Sequence, residues 1–585
     1  KVTDATFNFN QSWPHITNLE ADLNFSNERM DIVSQQGVLA GLQLGNGVVV
    51  SIDDLSHAST LNVDIETQQK AQELQPFFAA TPLKDSIGAV LETVQGQGKV
   101  LGKTRIQVPL SKGEVSVSGS VDLKNTPIFI AKPGIPFDKV TGTLTFNNSD
   151  IQLKNATASW LDMPFKFNLQ GKQQGENYDL SVTGDASWQV SDIVKHTQGI
   201  MSGYMSGVVP FDIAFNMQLK PQGFNYTASA SSDLIGLSTA LPTPYSKKRD
   251  QVWPLTLNVR GDEISNLITA NINQQLYFNS IVDNRLGKVS NAHLIVGEND
   301  LGINASGFDV TVALAKADIV EWIPFIDHLV ATPTESTSDN QVFPKLKEVN
   351  ANIDYATLSE IEFNDLEINL SALAQSTQLK INGKEVRAEV SIPRILAQRP
   401  VFIEADYLRL NFKPEETEPQ PSVGLKPIDD FGSPQDNEWL THLPAIRFNC
   451  ADCKVDSYQL DKLALDLDPA DNGLLISKLT VDKGKHLFIG EGSWQKQKTN
   501  LSGKLVSKDI GELTDEFDLT SSIKESNAEI DIDLYWYGTP YQFNTQSLSG
   551  DLKWRLGDGY ITDISDGGAR VFSLLSLDSL VRKLK

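Results

Sequence analysis

Cys450-Ala451-Asp452-Cys453 holds the only two cysteines in 585 residues. That spacing does redox chemistry when it opens a helix beside a βαβ unit, where the helix end stabilises a thiolate. Here Ile446-Arg447-Phe448 and Lys454-Val455 flank it in strand-like surroundings. A structural disulfide in an oxidising compartment is therefore the first expectation, and a reduced pair the second. Two cysteines cannot build a four-thiolate zinc site. His15, His57, His196, His293, His328, His442 and His486 lie far apart, with no His-x-x-x-His among them. Gly96 to Thr104 brushes the phosphate loop, which needs Gly, four residues, then Gly-Lys-Ser/Thr. Counting back from Lys103 puts Gln97 where the first glycine must stand. Asp466 to Gly473 brushes the calcium loop, but the twelfth position from Asp468 is Leu479, not Glu. In Gly203-Tyr204-Met205-Ser206-Gly207 the serine comes one place late for a nucleophile elbow. No catalytic residue, no metal ligand and no cofactor is expected, and the chain does not read as an enzyme.

The elements that carry these residues are strands. Val115, Val117, Gly119, Val121 and Leu123 alternate with Glu114, Ser116, Ser118, Ser120 and Asp122; Ile530, Ile532, Leu534 and Trp536 alternate with Glu529, Asp531, Asp533 and Tyr535. Leu61, Val63 and Ile65 repeat the pattern. Such alternation makes strands with one apolar and one wet face, as in antiparallel sheets. The net charge of −24 disfavours nucleic acid and anionic lipid surfaces approached through basic patches. No apolar run reaches the ~18–20 residues that span a bilayer. The first residues already alternate like a strand, and the last stop inside a helical pattern, so the chain reads as a piece of something larger.

Helical spacing is confined to Gln68–Phe78, Leu83–Val94, Asp192–Met201, Asp318–Val330, Asp509–Phe517 and Gly568–Leu584. Asp192, Asp318 and Asp509 each stand where an N-cap would. A strand echo joins Leu19, Ala21, Leu23, Phe25 and Asn27 to Val140, Gly142, Leu144, Phe146 and Asn148, with a looser copy from Leu463 to Leu475. The proposed helices are too few to cover so much sheet. The sheet must close, pack on a second sheet, or curl into a trough that holds something apolar.

Several segments resemble the large periplasmic AsmA-like proteins of Gram-negative bacteria, in the YhdP branch. They are Ser232 to Leu237 with Leu241-Pro242-Thr243-Pro244 and Lys247, and Leu548 to Leu552 with Gly557-Asp558-Gly559, Gly568 to Leu574 and Leu580 to Leu584. The family's anchor helix and extreme C-terminus are not among them. The resemblance implies an all-β fold: a long curved antiparallel sheet forming an elongated trough with an apolar interior, a repeating β-groove with few short helices. It implies phospholipid passage between inner and outer membranes, a periplasmic place, and a parent chain anchored in the inner membrane.

The organisation expected is a groove segment 1–190 with a helical insert near 68–94, and a second segment 191–330 opened and closed by short helices. A loop 331–345, a groove segment 346–412, a Pro-rich acidic insert 413–436, a groove segment 437–566 and an amphipathic helix 567–585 follow. The candidate groove liners are Leu23, Phe25, Leu144, Phe146, Ile530, Ile532, Leu534 and Trp536. Aspartate at Phe146 or Leu534 is expected to block lipid passage and leave the sheet largely formed. The partners implied are phospholipids, with membrane contacts lying outside this chain and no nucleic acid. The alternative is a protein-binding scaffold or assembly factor for envelope proteins, acting through exposed sheet edges.

Overall fold

The alternating segments become strands: 37 of them among the described residues, against helices of at most 13 residues. The computed structural model describes the chain except residues 9–10, 46, 132–133, 196–200, 298–306, 332–343, 345, 360, 374, 397, 412–439, 442, 517–522, 541–546 and 562–585. The Pro-rich insert 413–436, the helix expected over 567–585 and nearly all of the loop 331–345 lie outside the described residues.

Contacts divide the chain into two units, Lys1–Phe308 with Phe325–Lys345, and Asp309–Pro324 with Leu346–Lys585. In the first, Val2–Phe7 pairs with Ile16–Ser26, and that strand pairs with Arg29–Leu39. From Lys99–Pro109 to Lys288–Val296 the ladder is an antiparallel meander. Asn27 and Asn148 turn the two echoing hairpins at φ 55° and 52°, and Asn472 turns the looser copy at φ 56°. Asparagine is among the few residues that tolerate this left-handed backbone. The echo extends to the bulges: Asn18 and Lys139, also left-handed, sit where the register slips in strands Ile16–Ser26 and Ile135–Asn147. Bulges bend a strand and deepen its twist.

The second unit runs from Leu346–Leu358 to Ser549–Leu556 with one departure from the antiparallel expectation. Val401–Leu410 pairs in parallel with Ile446–Val455. A parallel pair requires a connection that crosses the strand length, whereas an antiparallel one needs only a tight turn. Residues 411–445 lie between the two strands in sequence. Within the second of these strands, Cys450 and Cys453 form a disulfide with Cα atoms 5.9 Å apart. It closes a bulge: Cys450 pairs with Leu463 and Cys453 with Asp461.

The helices differ from the sequence in their ends. Gln68 to Lys70 continue the strand Thr60–Lys70, because Val100 and Lys99 are there to pair with Gln69 and Lys70; the helix is Ala71–Ala79. Asp318 and Asp509 cap their helices through bonds from Val320 N (3.0 Å) and Gly511 N (3.0 Å). Asp192 does not cap: its helix is Val190–Lys195, and the carboxylate lies in the first turn, paired to Lys195 at 2.7 Å.

Candidate functional site

Strand register converts the alternation into continuous rows. In the second unit one row passes from Val349 through Leu370, Leu379, Val390, Ile403, Phe448, Leu465, Leu479, Gly490, Gly503 and Ile532 to Leu552. Twelve strands contribute one residue each, and none is polar. Every member is only half-buried. The neighbouring row runs from Ala351 to Trp554 through Cys450, Phe488 and Ile530, and is equally apolar. At ~4.8 Å per strand the rows extend for about 50 Å.

The glycines keep this floor level. A Cβ on Gly490 or Gly503 would meet Cζ of Phe488 at 2.7 Å, so the ring lies across both. The opposite face of the sheet is wet, with Lys380–Glu389 (3.2 Å) and Lys504–Glu529 (2.8 Å) pairs.

The first unit has a corresponding row over eight strands: Phe167, Gly184, Ile213, Ala230, Leu257, Ala270, Phe278 and Leu294, again all half-buried. Nearer its N-terminus the face is covered. The helix Ala71–Ala79, the π-turn Lys84–Gly88 and the helix Ala89–Thr93 bring Phe77, Phe78, Ile87 and Val90 onto Ile106, Val117 and Phe146. The rings of Phe78 and Phe146 meet edge-on at 6.5 Å. In the second unit the helix Ile510–Glu516 lays Ile510 and Leu513 over Ile530 and its neighbours, and Leu440 packs on Leu474 and Trp494.

A loop braces the first unit where the family-like motif lies. Lys247 is 1% exposed, and its Nζ donates to the carbonyls of Leu234 (2.8 Å), Leu237 (3.1 Å) and Lys248 (3.1 Å). Burial holds its pKa below the usual lysine range, while Asp233 and Asp250 push it back up. Leu234 and Leu237 pack with Val209 and Phe211 at one end of the strands.

The expected liners fall in different places. Leu23, Leu144, Ile532 and Leu534 are half-buried members of apolar rows. Phe146, Ile530 and Trp536 are covered, at 6%, 3% and 4% exposure. Trp536 donates its indole N–H to Thr539 O at 3.0 Å. Phe25, at its strand's end, is exposed. The row through Val390, Ile403, Phe448 and Leu479 was missed. Its signal is the same alternation, but which residues align depends on pairings over a parallel step. Among the described residues no cluster of His, Cys, Asp or Glu could hold a metal ion. No helix among them is long and apolar enough to cross a membrane.

The arrangement presents an apolar surface of similar character at every strand of the row. The family model of the YhdP protein matches residues 1–585. The intermembrane phospholipid transporter YhdP of Escherichia coli (strain K12) is 26% identical over 592 residues, covering 100% of this chain and 45% of that protein. The chain thus spans less than half the length of that relative. No solved structure matches it. A match along the whole chain, on a sheet whose face is apolar from strand to strand, places it plainly: the chain belongs to the YhdP family.

Proposed function

We propose that this chain conducts phospholipids between the inner and outer membranes of a Gram-negative envelope, along its apolar rows. In this reading it works in the periplasm as part of a parent protein held in the inner membrane, and catalyses no reaction. One observation carries it: the row Val349 to Leu552, apolar at every strand and half-exposed at every member. A soluble protein keeps large contiguous apolar patches for something that covers them.

A diacyl lipid in water exposes ~30 methylenes at ~0.8 kcal/mol each, on the order of 20–25 kcal/mol. A floor that is apolar throughout removes that barrier. Residues of similar size at each strand keep affinity nearly even, so lipid can slide without a deep trap. One leaflet's chains measure ~15 Å, half of a ~30 Å hydrocarbon core, so the second unit's row has room for about three lipids end to end.

The test is native mass spectrometry with lipid extraction on the 585-residue chain purified from membrane-containing cells. Several phospholipids per chain, released by solvent, are expected. A folded chain that carries none would overturn the proposal.

A further inference from the structure

One end of the strands from Leu346–Leu358 to Val401–Leu410 carries cations. Lys347 stands two residues before Val349 in the same strand; the strand of Val390 ends at Pro393, that of Ile403 begins at Val401, and Arg394 and Arg399 lie in the turn that joins them. The turn that holds both arginines lies beside the previous one, with Arg394 N bonded to Gln375 O at 3.1 Å. No Asp or Glu occurs from Val390 to Ile403, or from Ser371 to Leu379, in a chain of net charge −24. Arg394 and Arg399 are exposed and have no side-chain partner among the described residues, as does Lys347. The unit's other described arginines are all held: Arg409 by Asp452 (2.9 Å), Arg447 by Asp468 (2.8 Å), Arg555 by Glu529 (3.3 Å) and Arg387 by Asn382 (3.2 Å).

The opposite end of the same strands carries both signs, and its charges are engaged: Arg387 and Arg409 lie over the Tyr407 ring, and Arg409 is paired to Asp452 at 2.9 Å. Glu362 accepts from Tyr355 Oη, Glu385 accepts from Asn364 Nδ2 at 2.9 Å, and Lys384 is neutralised by Asp365 at 2.6 Å. Guanidinium and ammonium groups that have no side-chain partner among the described residues, beside an apolar floor, match the chemistry of a lipid phosphate above its acyl chains.

We propose that Lys347, Arg394 and Arg399 form a phosphate-binding rim, which holds the head groups of phospholipids whose chains lie on the floor through Val390 and Ile403. This inference rests on the lipid-conducting reading and adds an orientation to it: head groups ride at this end of the strands and not at the opposite one, where the cations already have partners. Anionic phospholipid gains most, because its phosphate charge is not offset by an amine.

The experiment incubates the whole chain with vesicles of phosphatidylglycerol and phosphatidylcholine in equal parts, re-isolates it, and counts each lipid by mass spectrometry. The Lys347→Ala/Arg394→Ala/Arg399→Ala variant is compared with the parent and with Phe448→Asp, which spoils the floor alone. The triple variant should retain at least about tenfold less phosphatidylglycerol, since roughly fivefold per cation multiplies to about a hundredfold when the three act independently. Phosphatidylcholine should change less, and the difference should shrink in ~1 M salt, where screening acts within ~3 Å. If the triple variant keeps its phosphatidylglycerol while Phe448→Asp empties, the floor carries lipid and the rim assignment is wrong. If the triple variant loses both lipids equally and unfolds earlier, the cations are structural and the assignment is again wrong. If the parent retains neither lipid, the lipid-conducting reading fails, and this inference with it.

Discussion

Leu61-Val63-Ile65 and Leu463-Leu465-Leu467 are built from the same alternation, and the structure uses them oppositely. Val63 is 0% exposed, in one core with the equally buried Ile16 and Ile106 and with Phe77, Phe78, Ile87 and Val90 of the covering segment. Leu463, Leu465 and Leu467 are half-buried in rows that stay apolar across the second unit. Alternation fixes which face of a strand is apolar. What lands on that face decides whether it is a core or a surface kept for an apolar ligand. The first stretch recovers its hydrophobic free energy on folding. The second leaves part of it unrecovered in the folded chain, which is the free energy that the proposed lipid would recover.

The sharpest way to break this comparison is to place the same charge in both stretches. Val63→Asp buries a carboxylate among Val50, Ile106 and their neighbours and should cost about 4 kcal/mol or more. Leu465→Asp can reach water at a half-exposed site and should cost about 1 kcal/mol, yet empty the floor of lipid. Urea unfolding and lipid counting on both variants check this. The sequence alone treats Phe146→Asp and Leu534→Asp as equivalent blocks of transport. The structure separates them: Phe146, under Phe78, should behave like Val63, and Leu534 like Leu465. Equal loss of stability in each pair would erase the distinction.

A smaller effect tests the cover itself. Phe78→Ala removes a ring packed between Phe77 and Phe146 and should destabilise the first unit by about 3 kcal/mol. The hole it leaves is apolar and adjoins a face suited to acyl chains. Unfolding measured with and without phosphatidylglycerol vesicles should therefore show part of the loss recovered when lipid is present. Recovery in Phe78→Ala but not in Val63→Asp would show that residues 71–93 stand in for lipid. No recovery in either would mean the cover is ordinary core.

Much of this was legible before the fold. Strict alternation around Val117 and Ile530 became strands, and Asn27 and Asn148 marked matching turns because each must adopt a left-handed backbone. The covering insert was legible as helical spacing at Leu83–Val94. Its position on Phe146 was not, because nothing local says where a helix docks. The parallel step was hidden for a similar reason: Val401–Leu410 and Ile446–Val455 each look like any other strand, and their direction relative to each other depends on how residues 411–445 travel. The row through Phe448 depends on that step. The rim was hidden for another reason: its arginines look in sequence like ordinary turn residues between Pro393 and Pro400. The burial of Lys247 could not be read locally, because the carbonyls that hold it come from residues 10 and 13 positions away and from its own neighbour.

The disulfide offers the finest test of the open stretch, since it sits within it. Cys450 belongs to an apolar row and Cys453 lies beyond a two-residue bulge, both almost fully buried. Closing so short a loop removes little chain entropy, so Cys450→Ser/Cys453→Ser should cost about 2 kcal/mol. That loss should appear as a lower thermal midpoint for the second unit, and the parent treated with reductant should show the same shift. The rows pass through this strand at Phe448 and Ile446 as well, and those residues are held by ladder bonds on both sides, from Ile403 and Leu465 and from Val401 and Leu467. Lipid per chain should therefore stay at the parent's value in the serine variant. A fall in lipid with reduction would mean that the bulge sets the level of the floor. The open stretch would then depend on a covalent staple as the covered one depends on its helices.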